Sequence, residues 1–173
     1  MQKAELHNPI DDLMQLSEDV SVITDPVVRD VYSTDIQGKD DRPLAVVKPG
    51  SVEALQAVVR LCEKNRIAIA PRGGGMSYSG GYAVAGSAAI VLDTSGLDRI
   101  VDINLTNGTV TVESGVTWAR LWHELKKHGV RTPFYGPFSG GTATVGGALS
   151  QHAASLGSSA FGISADNVLN LDV

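Results

Sequence analysis

The 173-residue chain is 43% hydrophobic and 19% charged, with a formal net charge of −5. That balance suits one domain with a packed core and argues against a nucleic-acid surface, which needs clustered Lys and Arg. One cysteine, Cys62, excludes an internal disulfide and a multi-cysteine metal site, and no apolar run nears the roughly 20 residues that span a bilayer.

The opening MQKAELHNPIDDLMQLSEDV carries acids early and lacks an unbroken apolar core, so it does not read as a signal peptide. A cytoplasmic protein with no membrane span is the expectation. Residues 1–42 read as a polar, irregular leader packed on the domain, with one apolar patch, VSVITDPVV, at 20–28. From Leu44 the rhythm becomes regular. LAVV (44–47) is a short buried strand, closed by Lys48, Pro49 and Gly50. Ser51 is placed to cap a helix whose stripe is Leu55, Val58, Val59 and Cys62, with Glu53 beside the positive end of its dipole. IAIA (67–70) is a second strand, completing a βαβ unit that runs straight into PRGGGMSYSGG (71–81). AAIVL (88–92) is another strand, and RIVDINLTNGTVTVESG predicts a hairpin about Asn107-Gly108. Trp118, Leu121, Trp122 and Leu125 predict an amphipathic helix stopped by Gly129, its tryptophans read as core. A second glycine-rich stretch, GPFSGGTATVGGALSQHAAS (136–155), leads into a short helix, and NVLNLDV alternates as a strand should.

The 19 glycines are bunched at 73–75, 80–81, 140–141 and 146–147. Such bunches mark backbone that turns sharply or approaches something closely. Successive glycine N–H groups can also face one point and form an anion nest, with Ser77 and Ser79 adding hydroxyl donors and Arg72 either supplying charge or standing as a solvated flank. A ligand-free glycine-rich hairpin is the alternative reading of the same residues. The familiar nucleotide patterns fail: Gly80 is followed by Gly81 rather than Lys, and a G-x-G-x-x-G begun at Gly73 meets Tyr78. A nucleophile elbow begun at Gly75 meets Ser79 where glycine is required.

LAVVKPGSVEALQAVVRLCEKNRIAIAPRGGGMSYSGG resembles the opening of the FAD-binding domain of the vanillyl-alcohol oxidase/p-cresol methylhydroxylase flavoprotein family. TATVGGALSQHAAS and SSAFGISADNVLNLDV resemble that family's next two segments, and YSTDIQGKDDRP (32–43) is similar to the approach in its glycolate and D-lactate dehydrogenase branch. The resemblance implies an α+β, PCMH-type FAD-binding domain over 43–173: a first subdomain of βαβ plus mixed sheet, then an incomplete second one. It implies that Arg72, Gly73, Gly74, Gly75, Met76 and Ser77 hold the FAD diphosphate. It places Ser139, Gly140, Thr144, Gly146 and Gly147 along the flavin and ribityl chain, and Gly157 and Gly162, with Asp166, in the following segment. Many relatives carry a histidine at the position of Met76 and some attach FAD through it, so the FAD here is expected to be non-covalent. Family members continue for hundreds of residues, through the rest of the FAD domain and a substrate domain. The chain is therefore expected to be the FAD-binding part of an oxidoreductase acting on a 2-hydroxy acid or alcohol, inactive alone. A truncated module, or a split-enzyme subunit needing a partner chain, is the alternative.

No paired carboxylates or nucleophile–base set stands out, and no catalytic residue is named. His7, His123, His128 and His152 show no metal spacing, and His152 reads as a helix-surface residue, with an approach to the flavin as the alternative. Tyr78 and Tyr82 suit either ring stacking or packing on the sheet. Asp93, Asp98 and Asp102 read as solvated acids at strand ends and turns.

Overall fold

A computed structural model describes residues 8–173 except 36–37, 39–40, 83, 85, 87 and 134–135. The chain divides into two units, Met1–Pro71 with Tyr78–Asp93, and Arg72–Ser77 with Thr94–Val173.

The first unit begins with helix α1 (Pro9–Met14), capped by the Asn8 side chain, which accepts the Ile10 N–H at 3.2 Å. Strand β1 (Val20–Ile23) follows, then α2 (Pro26–Tyr32), where Asp25 accepts the N–H groups of Val27 and Val28. These elements correct the expectation of an irregular leader. β1 runs antiparallel to β2 (Val46–Pro49), with Val20 opposite Pro49 and Ile23 opposite Val46. Leu13 of α1 is wholly buried. The short apolar run VSVI is enough for a strand once a neighbour offers the ladder.

Helix α3 (Val52–Asn65) starts where Ser51 Oγ accepts the Ala54 N–H at 3.2 Å, and ends at Arg66, which is left-handed at φ 56°. Ala54, Val58 and Cys62 form its buried face. Leu55 is half-buried and Val59 is exposed, so the stripe is turned slightly from its predicted setting. Strands β3 (Ala68–Arg72) and β4 (Ala89–Asp93) complete a mixed sheet of order β1-β2-β4-β3, in which β2 and β4 are parallel. β4 thus lies between the two strands that α3 joins. All five of its residues are buried, as expected for a strand covered on both faces. Ala45, Val47, Ile90 and Leu92 face a cluster with Leu13, Val58 and Cys62, while Val46, Ala89 and Val91 face Val84, with Ile23 and Tyr32 packed against that second cluster. Each buried Val, Leu or Ile side chain here contributes about 1.5–3 kcal/mol.

The second unit holds the hairpin of β5 (Ile100–Asn104) and β6 (Thr109–Val112), with Asn104 opposite Thr109. Asn104 Oδ1 accepts the Asn107 N–H at 2.9 Å and Gly108 takes φ +64°, so the predicted Asn-Gly turn forms within a connection of residues 105–108. Helix α4 (Trp118–Lys127) is capped by Thr117, whose Oγ1 accepts the Arg120 N–H. Trp118, Leu121 and Leu125 are buried beside Val116, Ala143 and Ala148. Trp122 departs from the core reading: it is half-buried, with Lys126 Nζ 4.7 Å from its ring centre. Helices α5 (Val145–Ser150) and α6 (Ser158–Phe161) follow. The expected strand at NVLNLDV does not form, and Leu169 and Leu171 are 84% and 62% exposed. Alternation alone makes no strand without a ladder partner, and none of the described residues pairs with this segment.

Candidate functional site

All thirteen residues singled out as cofactor-binding lie in the second unit. The first glycine loop leaves β3 at Arg72, whose carbonyl accepts the Thr94 hydroxyl at 3.3 Å. Gly73 lies directly against Thr144 Oγ1, and Gly74 lies on the Thr142 carbonyl, so that a Cβ at Gly74 would stand 2.7 Å from the Thr142 carbonyl carbon and 3.1 Å from Ala143 Cα. These two glycines are required by the contact between the loops, whatever else they do. Gly75 is left-handed at φ +64°, and the Arg72 guanidinium folds over it, its Cζ and Nε each 2.7 Å from where a Cβ would sit. Arg72 therefore holds a cation within its own loop. Met76 is 41% exposed and Ser77 half-buried. Among the described residues, no protein acceptor takes the backbone N–H of Gly74 or Met76.

The second loop begins with a turn in which the Gly140 N–H donates to the Pro137 carbonyl at 2.9 Å. Phe138 sits at its tip, 94% exposed. The Ser139 carbonyl accepts the N–H groups of Thr142 and Ala143, at 2.9 and 2.8 Å. The carbonyls of Ala143 and Gly140 accept the first two N–H groups of α4, from Trp118 and Ala119, which have no partner inside the helix. Thr144 forms an isolated bridge with Thr117.

At the start of α5 the amides are all occupied. Val145 N–H donates to the Val116 carbonyl at 2.8 Å, Gly146 N–H to the Ser114 carbonyl at 2.9 Å, and Gly147 N–H to Thr144 Oγ1 at 3.1 Å. Gly146 is glycine because a Cβ would stand 2.6 Å from that of Ser114. Gly157 and Gly162, at φ +103° and +81°, bracket α6, and Asp166 packs on Gly162 while its Oδ2 accepts the Ile163 N–H at 2.9 Å. The two loops are thus different objects. The first offers backbone donors and a cation, and the second supports it.

The electrostatics suit an anion. Neither 72–77 nor 136–157 contains an acidic residue, although the chain is acidic overall. The other residues considered fall elsewhere. Asp93 corrects the solvated reading: it is 4% exposed and accepts the Tyr32 hydroxyl at 2.7 Å. Asp98 pairs with Arg120, and Asp102 is exposed on β5. Tyr78 is 67% exposed, Tyr82 is buried, and both belong to the first unit. His123, His128 and His152 are exposed, His152 standing just past the end of α5 rather than on it, and His7 lies outside the described residues. No metal-binding cluster exists among the described residues. Sequence reasoning missed Ser114, Thr117 and Thr142, whose backbone or side chains tie the loops together. Only Thr117 carried a signal, as a helix N-cap before the Trp118 stripe.

Residues 43–173 match the family model described as an FAD binding domain. The chain belongs to that family. This FAD binding domain is 35% identical over 112 residues to a D-2-hydroxyglutarate dehydrogenase of Xanthomonas citri pv. viticola, covering 64% of the chain and 23% of the relative. It is 28% identical over 144 residues to glycolate oxidase subunit GlcD of Bacillus subtilis, covering 83% and 30% respectively. Among solved structures, alkyldihydroxyacetonephosphate synthase superposes with a TM-score of 0.80 at 20% identity, over 98% of this chain and 32% of that one. Berberine bridge enzyme gives 0.73 at 25% identity, over 96% and 35%. The fold is the α+β, PCMH-type FAD-binding fold, and the FAD binding domain spans about a quarter to a third of these relatives. No described helix is long and apolar enough to cross a membrane.

Proposed function

We propose that the chain is the FAD-binding portion of an oxidoreductase that removes a hydride from a small 2-hydroxy acid or alcohol. The observation that carries the reading is the first glycine loop. The Gly74 and Met76 N–H groups are available beside the Arg72 guanidinium, in a stretch with no carboxylate, and that donor set fits a diphosphate. Arg72, Gly73, Gly74, Gly75, Met76 and Ser77 hold the diphosphate by backbone donors, with no helix dipole needed. Ser139, Gly140, Thr144, Gly146, Gly147, Gly157 and Gly162 are the supporting and flavin-side wall. Because the Gly146 and Gly147 amides are occupied, these two contribute shape and carbonyl oxygens rather than N–H donation.

The chemistry FAD supplies when bound is acceptance of a hydride at flavin N5, with the protein supplying binding and orientation. Attachment is non-covalent in this reading. Met76 offers a thioether, not a nucleophilic nitrogen, and Cys62 is fully buried, its thiol pushed up to about 11 by that burial. A reducing, cytoplasmic setting accords with one buried thiol. The hydroxy-acid class is supported by the two relatives named above, one a D-2-hydroxyglutarate dehydrogenase and the other a glycolate oxidase subunit. A second reading is that catalysis needs residues outside 1–173, on the same polypeptide or on a partner chain. It is favoured by the chain spanning only 23% and 30% of the length of the two relatives named above.

The test is a titration of the chain with FAD, ADP and riboflavin, followed by flavin fluorescence. Saturable FAD binding, displaced by ADP, with riboflavin binding far more weakly, is expected of a diphosphate anchor. Equal affinity for riboflavin would remove the anchor from the account. Acid precipitation should then leave all flavin in the supernatant.

A further inference from the structure

We infer that Thr144 is the positioning residue of this site, fixing the first glycine loop against the start of α5 through its hydroxyl. The inference rests on 72–77 being the diphosphate loop. Thr144 is 2% exposed, yet it is polar and meets three neighbours, Gly147, Gly73 and Thr117. Its Oγ1 accepts the Gly147 N–H at 3.1 Å, and a Cβ on Gly73 would clash with the same oxygen. Its backbone bridges Thr117, and the residues just before it, Thr142 and Ala143, form the floor under Gly74. A hydroxyl can accept one N–H while its hydrogen and second lone pair serve another neighbour, which a methyl cannot do.

Thr144, 2% exposed, therefore belongs to the supporting part of the wall rather than to the face a cofactor touches. It sets the position of Gly73 and, through Thr142 and Ala143, that of Gly74, whose N–H has no protein acceptor among the described residues. Thr144→Val keeps the volume but removes the acceptor, leaving the Gly147 N–H unpaired and a methyl against Gly73. Thr144→Ser keeps the oxygen. The two variants separate hydrogen bonding from packing.

Amide hydrogen exchange on the whole chain reads that hydrogen bond directly, with FAD affinity as a second measurement. Thr144→Val is expected to speed exchange at Gly147, the amide its hydroxyl accepts, about tenfold and to weaken FAD binding about tenfold. Exchange in β2 and β4 should be unchanged, and Thr144→Ser should restore both values to within about twofold. Unchanged Gly147 exchange in Thr144→Val, or equal damage in Thr144→Ser, would overturn the inference. If Thr144→Val does not fold, a cycle of Gly73→Ala, Thr144→Ala and the double variant decides it. The double variant should recover most of the Gly73→Ala loss, whereas additive losses would overturn the contact. Failure of the wild-type chain to bind FAD would strike the diphosphate reading alone, because Gly147 exchange judges Thr144 without ligand.

Discussion

At Gly74 one methyl group separates two explanations of the glycine loop: room for a ligand, or room for the neighbouring loop. A Cβ there would stand 2.7 Å from the Thr142 carbonyl carbon, so Gly74→Ala is expected to destabilise the chain by about 1–3 kcal/mol even without FAD. Gly141→Ala is the control. Nothing lies within 4 Å of its Cβ position, and it should be neutral or gain up to about 1 kcal/mol. Urea midpoints of the two variants check this pair. Cys62 makes a second residue-scale prediction. Burial pushes its thiol from 9.0 to about 11, so the folded state favours the neutral form. Its contribution to stability is full below pH 9.0 and is lost as pH climbs toward about 11. A thiol reagent at pH 8 should modify Cys62 only at the rate of unfolding. At this scale the glycines were legible because glycine types are rare and bunched. Thr144 was legible as a loop residue but not as a strut, since a hydroxyl's partner is set by tertiary contact. Asp93 was misread for the same reason: Tyr32, which buries and satisfies it, lies 61 positions away.

The elements show where local signals suffice. Helices α3 and α4 carry a capping hydroxyl at the start and an apolar stripe, and both formed close to their predicted spans. The β5–β6 hairpin was legible from Asn107-Gly108, yet its open end is fixed by a pair the pattern did not announce. Glu113 accepts the Arg99 backbone N–H at 2.7 Å and the Arg99 guanidinium at 2.9 and 2.7 Å. Those hydrogen bonds hold the Glu113 carboxyl below its ordinary 4.5. The clamp's stabilisation is present above that value and fades as pH falls through the lower folded one. Because Arg99 is exposed, Glu113→Gln should cost only about 1 kcal/mol at pH 7, with the difference from wild type shrinking in acid. Thermal melts from pH 7 to pH 3 test this. β1 and the segment 168–173 mark the limit. Both are short apolar runs, and only the presence or absence of a neighbouring ladder made one a strand and left the other without regular structure and mostly exposed.

Taken whole, the molecule is two units with separate cores, one built on both faces of the mixed sheet and the other on the hairpin, α4 and α5. The family resemblance was legible because glycine positions and element order run together from Leu44 to Val173, and the family match covers 43–173. The division of labour between the two glycine loops was not legible, because it depends on which N–H groups find carbonyl partners. Binding to the folded state alone stabilises it, so FAD at a hundred times its Kd should add about 2.7 kcal/mol, read as a rise in melting temperature. The central claim is that the first glycine loop holds FAD, and amide hydrogen exchange with and without saturating FAD tests it most directly. Protection should rise in 72–77, with a smaller rise in 139–147 and none in the 100–112 hairpin. Saturable binding that left the exchange of 72–77 unchanged would contradict the account.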